Sequence, residues 1–280
     1  MLRLSQSNAD LLVPDGSPLR TALARTTCLG VGAHPDDLEF WMYYPILRSS
    51  GVENERFTGV TVTNGSGSAR SGAYENFSDA DIIAVRRREQ IAAARIGKYS
   101  AMLQLGHPSS AVKDQSDMNV VDDLEEILRF MRPEKVYTHD LFDRHDTHRC
   151  VLLKLVEAIR RLPMDMRPKE LIGCEGWSGL EWLVKKDRLV MDLSSGEKLA
   201  GQLINCFPSQ ILGGKRYDLA VQGRRRANAT FLDSHAIDTV TSVAFGVNMS
   251  DLINENDLEL YALAERYMRA FYEEKMDRLA

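Results

Sequence analysis

The stretch TTCLGVGAHPDDLEFW, residues 26–41, decides the fold prediction. Its first half has the β-branched and small apolar content of a buried strand. Directly after it come His34, Pro35 and two adjacent aspartates, Asp36 and Asp37. Neighbouring carboxylates repel each other and are costly to bury unless a positive group lies beside them. The stretch therefore predicts a strand that ends at a charged site, and a metal ion is the obvious positive group.

Strand and helix patterns alternate along the chain after this stretch. Strands are predicted in FTGVTVT (57–63), AMLQL (101–105), KVYTHD (135–140), ELIGCE (170–175) and RLVMDL (188–193). Helices are predicted in the stretch after Pro35 and over 79–96, 122–132, 151–162, 195–207, 220–231 and 257–276. Such alternation is typical of an α/β fold in which helices cover both faces of a mostly parallel sheet. Residues 1–25, interrupted by prolines and glycine, are predicted to be an N-terminal extension or edge segment. No repeat or low-complexity linker follows, so residues 26–280 are expected to form a single domain.

Composition excludes several classes of function. The chain has 280 residues, 44% of them hydrophobic and 27% charged, and its net charge of -5 gives no reason to expect a nucleic-acid partner. No apolar run approaches the roughly 18 to 20 residues that a membrane span requires. The N-terminal residues are too polar for a signal peptide, and four widely spaced cysteines fit a reducing compartment. A cytoplasmic protein is therefore expected.

Polar clusters follow three of the predicted strands. They are residues 34–37, Asn64 with Gly65, and residues 139–148. Ligands of open parallel sheets bind outside the carboxyl ends of the strands, so these clusters are expected to converge on one rim.

The third cluster, THDLFDRHDTHR, holds three of the six histidines of the chain. His145 and His148 are three residues apart, which places both imidazoles on one side of a helical turn. Histidine and carboxylate ligands suit a catalytic zinc ion with an open coordination position. His34 and one of the two aspartates can supply ligands, His145 or His148 can complete the set, and the remaining aspartate can act as general base. Each motif alone also fits a helix start, as a cap or a solvated first turn.

AHPDDLE (33–39) and HDTH (145–148) resemble the two signatures of the PIG-L or LmbE-like family of zinc-dependent N-deacetylases. Weaker similarity lies in TNG (63–65), in an R-x-x-E pattern at Arg86 and Glu89, and in KLAGQLINCFPSQ (198–210). The resemblance implies a Rossmann-like sheet and an enzyme that removes acetyl groups from N-acetylglucosamine-type substrates.

The resemblance also assigns roles to individual residues. It implies that His34, Asp37 and His148 ligate zinc and that Asp36 is the general base. His145 would stabilise the oxyanion or protonate the departing amine.

Two positions depart from the family pattern. Most members read His-x-Asp-His in the second signature, so here Asp143 or Asp146 must orient the ligand histidine from behind. Phe207 stands where a histidine often precedes the Ser-Gln pair.

Substrate contacts are predicted for Asn64, Arg70 and Arg86, which can bind hydroxyls or an anionic group. The neighbours of Arg86 in its run of three arginines, and the second run GRRRAN (223–228), are expected to lie on solvated helix faces. Trp177 and Trp182 fit either an aromatic wall for a sugar or core packing.

The predicted function is a metal-dependent hydrolase that deacetylates an acetamido sugar or glycoconjugate, with Zn²⁺ or another divalent ion such as Fe²⁺ as cofactor. The family resemblance also implies a homo-oligomer. Two alternative functions are a related amidase acting on a glycoconjugate, and a non-catalytic Rossmann-like protein that binds a sugar or nucleotide. No GxGxxG fingerprint follows the first strand, which argues against the binding protein.

Overall fold

The computed structural model describes residues 2–52 and 54–279, and within them eight strands form one sheet. The strands are β1 (Asp10–Leu12), β2 (Cys28–Gly32), β3 (Phe57–Thr63), β4 (Ala101–His107), β5 (Lys135–His139), β6 (Glu170–Cys174), β7 (Arg188–Asp192) and β8 (Val243–Asn248). Their order across the sheet is β1-β4-β3-β2-β5-β6-β8-β7. The five central strands, β4-β3-β2-β5-β6, are parallel. The edges are antiparallel, because β1 pairs with β4 and β8 pairs with β6 and β7.

Helices connect the strands and cover the sheet. They are α1 (Leu19–Ala24), α2 (Asp37–Phe40), α3 (Tyr43–Gly51), α4 (Asp79–Ile96), α5 (Ser109–Lys113), α6 (Asn119–Met131), α7 (Asp146–Arg160), α8 (Glu197–Ile204), α9 (Pro208–Ile211), α10 (Tyr217–Thr230), α11 (Asp251–Asn254) and α12 (Leu260–Leu279). Short 3₁₀ turns lie at Gly72–Tyr74, Met164–Met166 and Ser194–Gly196. None of the described helices is both long and apolar enough to cross a membrane.

The sheet has an apolar core on each face, as the prediction of helices on both faces requires. One core packs β2, β3 and β4 against α1, α6 and α7. The other packs the opposite side of the strands against α2, α3, α4 and α8. Within β2, Leu29 and Val31 face the first core and Cys28 faces the second, since successive strand residues point to opposite faces. The prediction of an α/β fold with a mostly parallel sheet is confirmed.

Two glycines allow α2 to lie directly against the sheet. A Cβ atom on Gly32 would lie 2.9 Å from Cβ of Asp37, and one on Gly59 would lie 2.6 Å from Cδ1 of Leu38. Real Cβ atoms do not approach that closely, so larger residues here would displace α2. These two glycines, in β2 and β3, thus let α2 hold Asp36 and Asp37 close to the carboxyl end of β2.

Three differences from the predicted elements concern the sheet and the turn that follows β2. The single helix predicted after Pro35 is divided into α2 and α3, and Pro45 has no N–H with which to continue the helical ladder. β8 was not predicted; it is a short run buried along most of its length, a pattern without the alternation that marks a strand. The predicted extension contains β1 and α1, and β1 forms an edge of the sheet. The division of the chain at residue 25 stays a prediction, and Met1 lies outside the described residues.

Candidate active site at the carboxyl edge of the sheet

The polar clusters after β2 and β5 meet at one cavity of about 420 Å³. The first lies in the turn from β2 into α2, and the second lies between β5 and the first turn of α7. Gly65, after β3, also lines the cavity. Parallel strands bring these turns to the same edge, as the sequence predicts.

Three atoms in the cavity wall lie at mutual distances that suit a metal ion. Nδ1 of His34 is 3.2 Å from Oδ2 of Asp37, and Nε2 of His148 is 3.2 Å from the same histidine nitrogen. Nε2 of His148 is also 3.4 Å from Oδ2 of Asp37. A tetrahedral zinc ion with bonds of about 2.0–2.1 Å separates its ligand atoms by about 3.3–3.4 Å. The donor types and spacing therefore fit a divalent metal.

Other histidines lie around the same point. The ligand atoms of His34, His145 and His148 lie within 4.8 Å of one another, and so do those of Asp37, His139 and His148. His139 was not assigned a role from sequence. Its Nε2 accepts the backbone N–H of Ala33 at 3.0 Å, and its ring stacks on His148 at 3.7 Å. It therefore packs against the ring of His148 and limits its movement.

Asp143 lies behind His148. Its Oδ2 is 2.9 Å from Nδ1 of His148, and its Oδ1 accepts the backbone N–H of His145 at 2.8 Å. Asp146 instead lies at the surface, where it pairs with Arg149 at 2.5 Å. Of the two acids that the sequence left open, Asp143 thus has the geometry to fix the ring and tautomer of His148.

Asp36 lies beside the atoms of His34, Asp37 and His148 that suit a metal ion, and it has an ion-pair partner of its own. Its Oδ2 is 3.0 Å from Nη2 of Arg86, which also donates to the carbonyl of Pro35 and, through Nη1, to Ser68. The backbone N–H of Asp36 donates to Oε1 of Gln90 at 2.9 Å. The φ angle of Asp36 is 108°, a value that residues other than glycine rarely adopt. Such a backbone persists only where the surroundings hold it, as at many active sites.

The two adjacent carboxyls have opposite electrostatic environments. Burial raises the pKa of Asp36 well above its usual range, although Arg86 opposes the shift. Burial would also raise the pKa of Asp37, but His148, His34 and His139 outweigh it and hold that pKa well below the usual range. Asp37 is thus the better anionic ligand, and Asp36 the better proton acceptor.

His145 faces the cavity, half-buried. Its ring stacks on His148 at 4.4 Å and meets His34 edge-on at 5.0 Å. Burial, together with His148 and His34, lowers the pKa of His145 to about 4. Its Nδ1 is buried and has no hydrogen-bond partner among the described residues.

Of the three residues predicted to contact the substrate, one lines the cavity and two do not. Arg86 is buried and lines the cavity, and its contact with substrate stays a prediction. Asn64 instead accepts the N–H of Ser66 at 3.0 Å, and Arg70 pairs with Asp79 across the following loop. Within the described chain, the cavity wall does not include these two side chains. Their hydrogen bonds shape the loop after β3, because short turns use such side chains locally.

Residues from the second half of the chain complete the wall. Trp177, Gln210, Lys215 and Tyr217 line the cavity, together with Trp41. Of the two tryptophans left open, Trp177 lies at the cavity. The other, Trp182, packs against Phe142 and Phe271.

The solvated face expected for GRRRAN was wrong for two residues, Arg225 and Asn228, which are buried. Arg225 is buried and donates to the carbonyls of Glu39 and Phe40, at 3.1 and 2.9 Å. These are the last carbonyls of α2, which lack a helical partner and need a donor. A consecutive run of arginines gives no sign of which one faces inward.

The R-x-x-E pattern places its glutamate beneath the cavity wall. Glu89 accepts the backbone N–H and the hydroxyl of Ser209 at 2.8 and 2.6 Å, and so holds the start of α9. Gln210, next in the chain, lines the cavity.

Comparisons with known proteins agree with this geometry. The model of the GlcNAc-PI de-N-acetylase (PIG-L) family matches residues 29–159. A search of curated proteins found no match.

Several solved structures share the fold. The conserved protein TT1542 from Thermus thermophilus is 20% identical, with 80% of this chain and 94% of that chain covered and a TM-score of 0.63. GalB, the 4-carboxy-2-hydroxymuconate hydratase from Pseudomonas putida, is 17% identical over 80% and 96% of the chains, with a TM-score of 0.63. The N,N'-diacetylchitobiose deacetylase from Pyrococcus horikoshii is 19% identical over 81% and 85%, with a TM-score of 0.60.

The matched residues contain both histidine-aspartate clusters of the cavity, from β2 through α7. The family resemblance drawn from AHPDDLE and HDTH is confirmed, and residues 29–159 of this chain form a PIG-L family domain.

Proposed function

We propose that this protein is a metal-dependent hydrolase that removes the acetyl group from an acetamido sugar or glycoconjugate. The observation that carries the proposal is the triangle of His34, Asp37 and His148 atoms, 3.2 to 3.4 Å on each side, with the separate buried carboxylate of Asp36 beside it. An amide is a poor electrophile, so its hydrolysis requires both an electrophilic group and a positioned base. The site has candidates for both.

His34, Asp37 and His148 would hold the divalent ion, zinc or iron by donor type. When bound, such an ion supplies Lewis acidity to the amide carbonyl and to a water molecule. Asp143 keeps His148 oriented through its Nδ1, and the stacked ring of His139 limits movement of His148.

Asp36 would take a proton from the water that attacks the amide carbon. Arg86 holds its Oδ2 and so fixes where the carboxylate can reach. As the carbon–nitrogen bond breaks, the proton that Asp36 took from the water passes to the amine nitrogen, and acetate is the second product. A neutral His145 can donate an N–H hydrogen bond to the carbonyl oxygen, on which negative charge develops.

The cavity suits a sugar-sized molecule. Its volume of about 420 Å³ falls in the range of about 300–1,000 Å³ that small-molecule sites occupy. Trp41, Trp177 and Tyr217 supply aromatic walls, and Gln210 and Lys215 supply polar groups for hydroxyls. The proposed location is the cytoplasm, because the four cysteines are widely spaced and lack CxxC pairs, as expected in a reducing compartment.

The test combines metal content with acetate release. Protein purified without added metal is analysed by elemental mass spectrometry, and acetate is measured over N-acetylated sugars and glycoconjugates. We expect about one zinc or iron per chain, lost in His148→Ala. Asp36→Asn should keep the metal and lose roughly 10² to 10⁴ in rate.

Asp146→Asn is the matched control, because Asp146 belongs to the same histidine-rich cluster but lies at the surface. It should retain both metal and rate. Unchanged turnover in Asp36→Asn would refute its role as base. A bound metal without acetate release from any acetamido compound would favour the amidase or binding-protein alternatives.

A second candidate is a hydratase of an unsaturated carboxylate. Lys113 and Lys215 line the cavity, Nζ of Lys215 lies 5.3 Å from the centre of the Trp177 ring, and ammonium groups suit a carboxylate ligand. A protein of similar fold is a 4-carboxy-2-hydroxymuconate hydratase. Loss of the conjugated double bond is followed by ultraviolet absorbance, so the two reactions are distinguished by their products.

A further inference from the structure

Helix α12 presents two different apolar faces. Its inner face packs on the domain through buried Leu263, through Tyr267, whose hydroxyl donates to the Asn248 carbonyl at 2.5 Å, and through Phe271, which meets Trp182. This face accounts for the attachment of the helix to the sheet. It does not account for the apolar residues on the other side.

The outer face carries a stripe of exposed apolar residues. Tyr261, Met268, Tyr272 and Leu279 are 72%, 57%, 62% and 80% exposed. At about 100° per residue, all four lie within roughly 20° of one line, about 120° around the helix from the inner face. The line runs for about 27 Å. Single exposed apolar residues are ordinary, whereas a stripe of this length is typical of an interface.

The stripe follows a heptad pattern that includes two charged residues. Tyr261, Met268 and Lys275 occupy d positions, and Glu265, Tyr272 and Leu279 occupy the intervening a positions. Alternating spacings of four and three residues are the signature of a coiled-coil seam. A charge at such a position is costly unless the partner helix places the opposite charge beside it.

We propose that α12 pairs antiparallel with α12 of a second copy of this chain. In a two-fold antiparallel pair, each a residue lies beside a d residue of the partner. Centring the pair on residue 270 places Tyr261 beside Leu279 and Met268 beside Tyr272. The same register places Glu265 beside Lys275 of the partner subunit, twice by symmetry.

The charges select this orientation over the parallel one. A parallel two-fold pair would place Glu265 beside Glu265 and Lys275 beside Lys275, which repels at both positions. Within one chain Glu265 pairs with Arg269 at 2.6 Å, and Lys275 lies 3.6 Å from Glu274. Both are solvent-exposed pairs, which contribute little and exchange readily. The proposal does not depend on the proposed function.

The experiment measures the mass of the full chain by sedimentation across roughly 1 to 100 μM, a range that covers micromolar dissociation constants. We expect a concentration-dependent dimer. Glu265→Lys alone and Lys275→Glu alone should each weaken it by at least about tenfold, because like charges then meet twice. An equimolar mixture of the two variants should recover it, since every contact in the mixed dimer again joins opposite charges.

Asp277→Lys is the matched control, because it makes the same charge change on the exposed side of α12 away from the stripe. It should leave the dimer intact, and thermal melting of every variant should report a folded chain. A monomer throughout the range would overturn the proposal, and so would failure of the mixture to recover the dimer. A monomer that sediments with vesicles of phosphatidylcholine and phosphatidylserine would instead assign the stripe to a lipid surface.

Discussion

Two runs of three arginines, 86–88 on α4 and 224–226 on α10, look alike in sequence but hold opposite ends of the same short segment. In each run one arginine is deeply buried: Arg86 in the first and Arg225 in the second. Arg86 binds the start of residues 35–40, at Pro35 and Asp36, and Arg225 binds the end. The segment that carries the candidate base is therefore fixed from both sides.

The two arginines differ in what faces them. Arg86 meets the Asp36 carboxylate and lines the cavity. Arg225 meets the carbonyls of Glu39 and Phe40 and lies 5.0 Å from the centre of the Tyr43 ring. Burial lowers the pKa of Arg225 to about 10. Burial alone therefore does not make an arginine part of the candidate site. Arg86 balances the charge of Asp36 there, whereas Arg225 supplies the hydrogen bonds that the end of α2 lacks.

The largest effect is expected from Arg86→Ala. Removing one partner of a buried ion pair leaves the other charge uncompensated, at a cost of about 3–5 kcal/mol of unfolding free energy. Acetate release should fall by at least about 10²-fold, because Asp36 loses the group that positions it. Denaturant unfolding and initial rates measure the two effects.

Arg88→Ala is the control for that change, because Arg88 is exposed on the same helix. Arg86→Lys should recover part of the stability while leaving the rate low, since an ammonium cannot reproduce the guanidinium fork. A rate near that of the native chain in Arg86→Ala would break the distinction between the two arginines.

Arg225→Met should act mainly on stability. Two carbonyls at the end of α2 lose their donors, and each buried unsatisfied group costs about 1–3 kcal/mol. The methionine relieves the burial of a charge, so we expect a net loss of about 2–4 kcal/mol in denaturant unfolding. At temperatures where the variant is folded, turnover should change by less than about tenfold. Arg226→Met, at an exposed position of the same run, should be neutral.

Much of this arrangement follows from local sequence. Strand-length apolar runs and turn residues predict the central sheet, and they place residues 34–37 and 139–148 at one edge. The family signatures indicate His34, Asp37 and His148 as ligands. These features are predictable because they depend on short-range patterns and on the geometry of parallel strands.

The features that the sequence did not predict depend on packing between residues far apart in the chain. Asp143 was indistinguishable from Asp146 until α7 fixed which one reaches His148. Arg225 is separated by more than 180 residues from the carbonyls that it binds. His139 is the last residue of β5, and its hydrogen-bond partner, Ala33, directly follows the neighbouring strand β2. No local pattern encodes such contacts, because they exist only once the sheet is assembled.

Gln90 links the two ends of the segment, and its loss should have an intermediate effect. Its Oε1 accepts the N–H of Asp36 at 2.9 Å, and its Nε2 donates to Glu39 at 2.8 Å. Gln90→Met keeps a similar volume and loses both bonds, so we expect about 1–2 kcal/mol less stability. The rate should fall by about tenfold if this bond helps to hold the unusual backbone of Asp36. Denaturant unfolding and acetate release check both effects, and an unchanged rate would show that Arg86 alone fixes Asp36.

The smallest effect is expected from Arg224, which is half-buried beside the buried member of its run. It donates through Nη1 to the carbonyl of Gly176, and its guanidinium lies 6.0 Å from the centre of the Trp41 ring. Gly176 precedes Trp177 of the cavity wall, so Arg224→Gln should make this wall more mobile without touching the candidate metal-ligand atoms. We expect KM to rise by about three- to fivefold, under 1 kcal/mol, with kcat unchanged, because the lost contact affects binding of substrate and transition state equally. Steady-state kinetics beside Arg226→Gln separates this effect from a general loss of charge. A fall in kcat would instead place Arg224 with Arg86, as a residue that acts on the reacting groups.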